Sequence, residues 1–135
     1  MKDLFSIKGK TALVTGGSRG IGEMIAGGFL ASGAKVYISS RKVDACDATA
    51  ERLMKTFGGK CISLPGNVAE LSGISSLVET LSEREDKLDI LVNNAGVGWG
   101  APLEEFPEIG WDKVMDTNVK GVFFLIQQLL PLLKA

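Results

Sequence analysis

Residues Thr11–Lys42 read TALVTGGSRGIGEMIAGGFLASGAKVYISSRK, and the succession of residue types in this stretch decides the architecture. Thr11–Thr15 is a short apolar run ending at Gly16-Gly17, the pattern of a strand covered on both faces. Ile21–Ser32 then carries apolar residues three and four apart, as a helix lying on a sheet does. Gly33 is a natural stop for that helix, because glycine accepts the left-handed conformation. Lys35–Ser40 returns to β-branched and aromatic residues, a second strand. A strand, a glycine-bearing turn, a helix and a strand make one βαβ unit, whose crossover is right-handed and whose strands are parallel.

The same alternation continues. Cys61–Leu64 and Leu88–Asn93 read as further strands, and Asp44–Phe57 and Ser72–Arg84 as helices, with Gly58 stopping the first of them. Trp111–Leu133 is a long helical pattern that Pro131 is expected to kink or end. Close packing of helix on sheet is the expected reason for Gly27 and Gly28, each of which costs about 1 kcal/mol in a helix interior. Strands and helices in strict alternation predict an α/β fold, a three-layer doubly wound parallel sheet with strand order 3-2-1-4. Residues 1–135 are read as one dinucleotide-binding domain. Ligands in such a fold sit beyond the carboxyl ends of the strands, where strand order reverses.

Composition narrows the function. The 135 residues are 45% apolar, which suits one globular domain and excludes disorder. Fifteen basic residues face sixteen acidic ones, so no cationic excess points to nucleic acid or an anionic membrane. Neither a signal-peptide pattern nor a run of the ~20 apolar residues of a membrane helix is present, and a cytoplasmic protein is expected. There is no histidine, which removes Ser-His-Asp and Cys-His nucleophiles. Two cysteines, Cys46 and Cys61, support neither a zinc site nor a disulfide framework; no metal is expected, and Cys61 should pack in a strand.

Gly16, Gly20 and Gly22 lie between the first strand and the first helix, where missing side chains let the backbone turn tightly and approach a pyrophosphate at a helix N-terminus. A P-loop is excluded, because no Gly-Lys-Ser/Thr follows. The spacing Gly-x-x-x-Gly-x-Gly, together with Asn93-Asn94-Ala95-Gly96 after the fourth strand, resembles the short-chain dehydrogenase/reductase family over the whole chain. A methyltransferase would leave the Asn-Asn-Ala-Gly segment unexplained. The resemblance implies a Rossmann fold in which Gly16, Ser18, Arg19, Gly20, Ile21 and Gly22 bind the cofactor. It implies too that Asn94, Ala95 and Gly96 steady the sheet and line the adenosine-ribose side.

An acidic residue about 20 positions beyond the glycine loop would select NAD through the ribose 2′-hydroxyl. Ser40 stands there instead. Arg41 beside it and Arg19 in the loop supply two guanidinium groups suited to a 2′-phosphate, so NADP(H) is the expected cofactor. Where members of the family usually carry Asp-Val against adenine, this chain has Asn67-Val68, and an amide can both donate to and accept from the adenine edge.

The family resemblance implies hydride transfer between nicotinamide and a carbonyl or alcohol carbon. Its catalytic set is a tyrosine acid/base, a lysine that lowers the tyrosine pKa, a serine and an asparagine supporting a proton-relay water. Asn118, in Met115-Asp116-Thr117-Asn118, matches the asparagine. The sole tyrosine, Tyr37, lies in the second strand with Arg41 four residues on, and no Tyr-x-x-x-Lys occurs. The chain is therefore read as roughly the N-terminal half of a reductase, inactive on its own, with an open sheet edge beside the fourth strand. Trp99 either borders a substrate mouth or packs its loop. The segments Asn93–Pro107 and Trp111–Leu133 look like the 3-oxoacyl-[acyl-carrier-protein] (β-ketoacyl) reductase branch, with a small carbonyl or alcohol, an acyl thioester included, as substrate. In the family the apolar last helix pairs with its mate from another subunit, so the resemblance implies a homotetramer or homodimer for the full-length protein; burial within the chain is the other reading of that helix. The rival reading is a non-catalytic dinucleotide-binding or sensing module.

Overall fold

The computed structural model describes residues 3–135. β1 (Thr11–Thr15), β2 (Lys35–Ser39), β3 (Cys61–Ser63) and β4 (Ile90–Val92) form one sheet. Its order is β3-β2-β1-β4, all neighbours parallel, as the alternating pattern predicts. The helices are α1 (Gly20–Ala31), α2 (Val43–Phe57), α3 (Leu71–Arg84), α4 (Glu108–Met115) and α5 (Gly121–Lys134).

The period-2 alternation of strand side chains sorts the core into two layers. Val14, Val36, Ile38 and Cys61 point to α1 and α2, where they meet Ala26, Leu30, Cys46, Ala50 and Leu53. Leu13 and Tyr37 point to the other face and pack with Ile74, Leu77 and Leu81 of α3 and Leu125, Leu129 and Leu132 of α5. Both cysteines are buried free thiols, with Cys61 in its strand; burial, then the neighbouring Cys46, pushes the Cys61 thiol up to about 12.

Several expectations need correction. The long last helix starts earlier, at Glu108, and is not one regular α-helix: Asp116–Lys120 winds as a wider π-turn between α4 and α5. Pro131 does not end it, and α5 runs on to Lys134. A proline there forfeits one backbone hydrogen bond. Burial of Leu129 and Leu132, and the Leu88 N–H donated to the Leu132 carbonyl at 3.0 Å, hold the final turn in place. β4 is shorter than the Leu88–Asn93 pattern, spanning Ile90–Val92. Gly27 does permit a close approach, but to a helix: an added Cβ would lie 2.7 Å from the Phe57 ring of α2. Gly28 meets nothing within 4 Å, so packing does not explain it.

Candidate functional site: a cationic cleft at the strand ends

The chain leaves β1 through Gly16 and enters α1 at Gly20, with φ +63° and +58°, a conformation that side-chain-bearing residues rarely adopt. Gly22 is needed for a different reason. A Cβ on it would lie 2.1 Å from the Gly16 carbonyl oxygen and 2.6 Å from Asn94 Nδ2, so the loop folds down onto the first turn of α1 only if residue 22 has no side chain.

Asn94 fixes that loop from the end of β4. Its Nδ2 donates to the carbonyls of Thr15 (3.1 Å) and Gly16 (3.2 Å). The Thr15 hydroxyl accepts the N–H groups of Asn94 (3.1 Å) and Ala95 (3.0 Å) and donates to the Val92 carbonyl (3.3 Å). The two strand ends on either side of the order reversal are thereby joined, which is where a doubly wound sheet opens its ligand crevice.

A cleft of about 590 Å³ lies there. Gly16, Ser18, Arg19 and Gly20 form one wall, Ser39–Lys42 and Ala45 another, Gly66–Val68 a third, and Asn94–Val97 with Thr117 the far end. Of the expected cofactor residues, Gly16, Ser18, Arg19, Gly20, Ser40, Arg41, Asn67, Val68, Asn94, Ala95 and Gly96 are brought to this cleft. Gly22 lies buried beneath the loop instead of in the wall. The Ile21 side chain is 65% exposed and lies outside the cleft lining, which leaves the main-chain N–H in the first turn of α1 as the group this residue offers.

The lining charges are Arg19, Arg41 and Lys42, with no carboxylate among the described lining residues. Ser39 adds a buried hydroxyl with no partner in the protein. Asn67 accepts the Ala69 N–H on Oδ1 at 3.0 Å, an Asx turn that leaves Nδ2 as the atom it offers the cleft. A Cβ on Gly121 would lie 2.3 Å from the Val68 carbonyl, so the bare start of α5 lets the 66–68 loop close in.

Asn118 sits in the π-turn, a form of helix that recurs at functional sites. Both its amide atoms are engaged: Oδ1 accepts the Val97 N–H and Nδ2 donates to the Val97 carbonyl, each at 2.9 Å. Asn118 thus ties the segment after β4 to the last helix. Trp99 packs its loop, as the simpler reading expects: its ring fills the space beside Gly110, with Lys113 Nζ 5.9 Å from the ring centroid. Tyr37 is buried in the α3/α5 layer, donates to Glu85, and has no access to the cleft.

Thr15, Ser39, Lys42 and Thr117 are cleft residues that the sequence reading missed. Lys42 had a signal, as a second cation after β2 beside Arg41. For Thr15 the signal was a polar residue closing an apolar strand, whereas Ser39 and Thr117 look like ordinary small polar residues.

The short chain dehydrogenase family model matches residues 10–135. The rhamnolipids biosynthesis 3-oxoacyl-[acyl-carrier-protein] reductase of Pseudomonas aeruginosa is 52% identical over 99% of this chain and 52% of its own length. Gluconate 5-dehydrogenase of Gluconobacter oxydans is 40% identical over 93% of this chain and 48% of its own. Among solved structures, the Pseudomonas aeruginosa RhlG/NADP active-site complex superimposes with a TM-score of 0.93 at 52% identity, covering 99% of this chain and 52% of that one. L-sorbose reductase from Gluconobacter frateurii, complexed with NADPH and L-sorbose, gives 0.91 at 33% identity, covering 96% and 49%. The chain spans about half the length of the curated relatives it matches.

Proposed function

This chain belongs to the short chain dehydrogenase family, and from that premise we propose that it is the NADP(H)-binding half of an oxidoreductase that reduces a carbonyl substrate. The observation that carries the cofactor assignment is the charge of the cleft: Arg19 from the glycine loop, Arg41 and Lys42 after β2, where an acid would read a free 2′-hydroxyl, and no carboxylate among the described lining residues. NADP is also the nucleotide in the solved relative at 52% identity.

The residues fit such a dinucleotide. Gly16, Gly20 and Gly22 leave room for a pyrophosphate over the first turn of α1, whose N–H groups, Ile21 among them, face it. Arg19, Arg41, Lys42 and the Ser40 hydroxyl hold the 2′-phosphate through charge-assisted hydrogen bonds. Asn67 Nδ2 donates to an acceptor on the adenine edge, and Val68 packs against the ring. Asn94, Ala95 and Gly96 border the ribose. When bound, the nicotinamide supplies or accepts the hydride.

Asn118 contributes by holding the Ala95–Val97 segment in place. With its amide committed to Val97, support for a relay water falls to its main chain in the widened turn. The serine, tyrosine and lysine that complete the family's catalytic set have no counterpart in these 135 residues, so residues 1–135 alone bind nucleotide without turnover. We take the substrate to be a 3-oxoacyl thioester, on the name of the relative at 52% identity. No helix among the described residues is long and apolar enough to cross a membrane; we place the protein in the cytoplasm as a homotetramer or homodimer.

Titration of the protein with NADPH and NADH tests the reading. NADPH should bind more tightly, and Arg41→Ala or Arg19→Ala should weaken it by roughly 10- to 100-fold while sparing NADH, the range for a lost charge-assisted contact. Equal binding of the two nucleotides by the unmutated protein would overturn the cofactor assignment. Following NADPH oxidation with 3-oxoacyl thioesters and with keto-sugars separates the acyl assignment from a sugar-directed one, and binding without turnover of either would favour a sensing module.

A further inference from the structure

Thr49 lies in α2, outside the cleft wall, and is only 2% exposed. Its hydroxyl donates to the Ser18 carbonyl at 2.7 Å. Arg52, one turn on, donates from Nη2 to Thr49 Oγ1 at 3.1 Å. The same guanidinium is held by Glu23 of α1, through Nε at 3.0 Å and through Nη2. Because a guanidinium can only donate, the Thr49 oxygen is occupied as an acceptor and its own proton is directed to Ser18. The chain Arg52 to Thr49 to Ser18 is polarised in one sense, and such chains strengthen their members.

Ser18 C=O and Arg19 N–H belong to one peptide unit, and it is trans. With its carbonyl anchored on Thr49, the plane of that peptide is set, and with it the direction in which the Arg19 side chain leaves the loop. The rest of the loop is held by other residues: Thr15 and Gly16 by Asn94, and Gly17 through its N–H to the Ser39 carbonyl at 3.0 Å. Thr49 therefore governs the Ser18–Arg19 step and leaves the pyrophosphate-facing turn to its own supports.

We infer that Thr49, locked by the Arg52–Glu23 pair, is a positioning residue for Arg19 and thereby sets the preference for a 2′-phosphorylated dinucleotide. This rests on the NADP(H) reading above and adds a residue that never touches the nucleotide.

The test is calorimetric titration of the protein with NADPH, NADH and 2′,5′-ADP, in wild type, Thr49→Val, Thr49→Ser, Arg19→Ala and the Thr49→Val/Arg19→Ala double variant. Thr49→Val should weaken NADPH and 2′,5′-ADP by roughly 5- to 10-fold and NADH by less than about 2-fold, the scale of one lost hydrogen bond acting on one contact. Thr49→Ser, which keeps the hydroxyl, should restore the wild-type ratio. In the Arg19→Ala background Thr49→Val should change nothing further, because its effect passes through Arg19. Equal weakening of NADPH and NADH, an unchanged ratio, or additive effects in the double variant would overturn the inference. A wild type indifferent to the 2′-phosphate would instead bring down the underlying cofactor reading, and the inference with it. Should Thr49→Val not fold, Thr49→Ala and Arg52→Met, the latter at a half-exposed side chain, carry the same comparison.

Discussion

Tyr37 is buried in the middle of β2, and its hydroxyl donates to Glu85 Oε2 at 2.5 Å while Lys35 pairs with the same carboxylate. Burial raises the phenol well above its ordinary range, and the hydrogen bond to Glu85 and the charge of Glu85 add to the rise. For Glu85, burial pushes upward, but hydrogen bonds from Lys35 and Tyr37 and the charges of Lys35 and Lys60 outweigh it and hold the carboxyl low. The two shifts act at opposite ends of the pH scale. A lowered carboxyl stabilises the fold above its unfolded pKa of about 4.3 and loses that contribution as pH falls. A raised phenol stabilises it below about 10 and loses that contribution as pH climbs. Urea unfolding across pH should show a plateau between these limits. Tyr37→Phe should lower the plateau by about 1 kcal/mol and flatten the alkaline decline. An alkaline decline as steep in Tyr37→Phe as in wild type would exclude the phenol as its source.

At the scale of elements, two glycines of α1 make opposite predictions. Gly22→Ala places a methyl against the Gly16 carbonyl and Asn94 in the most tightly packed part of the loop. It should cost about 1–3 kcal/mol, as overpacking does, and abolish nucleotide binding. Gly28→Ala meets open space in a helix interior and should raise the unfolding free energy by about 0.5–1 kcal/mol with binding intact. Thermal unfolding with and without NADPH reads both, and equal effects would contradict the packing described. This pair also marks how far sequence carries. The strands, three of the helices and the loop between Gly16 and Gly22 are legible because periodicity and glycine placement are local signals. That Gly27 answers to Phe57, or that a π-turn interrupts the last helix at Asn118, depends on what packs across from them. Thr49 and Ser39 carry no sequence signal, since a buried hydroxyl takes its meaning from its partner or from the lack of one.

Over the whole molecule, Val119, Phe123, Ile126 and Leu130 form an exposed apolar stripe along the π-turn and α5, and among the described residues β4 pairs only with β1. An apolar helix face beside an unpaired strand edge favours association. Produced as residues 1–135, the chain should show a mass that rises with concentration in light scattering. Phe123→Glu with Leu130→Glu should lower that mass without unfolding the chain, because both side chains stand outside the two core layers. A monomer at all concentrations would mean that the stripe is tolerated in solvent.

The bonds that shape the glycine loop form between residues made at different times. Thr49 reaches Ser18 across 31 residues of sequence, whereas Asn94 is 79 residues from Thr15. At a synthesis rate of roughly 5–20 residues per second, Asn94 leaves the ribosome about 4–16 s after Thr15. During that interval β1, α1, β2 and α2 can dock, and Ser18 can find Thr49, while Thr15 and Gly16 keep unclaimed carbonyls. The Ser18 side of the loop is thus anchored first during translation, and the Thr15–Gly16 side waits for the fourth strand.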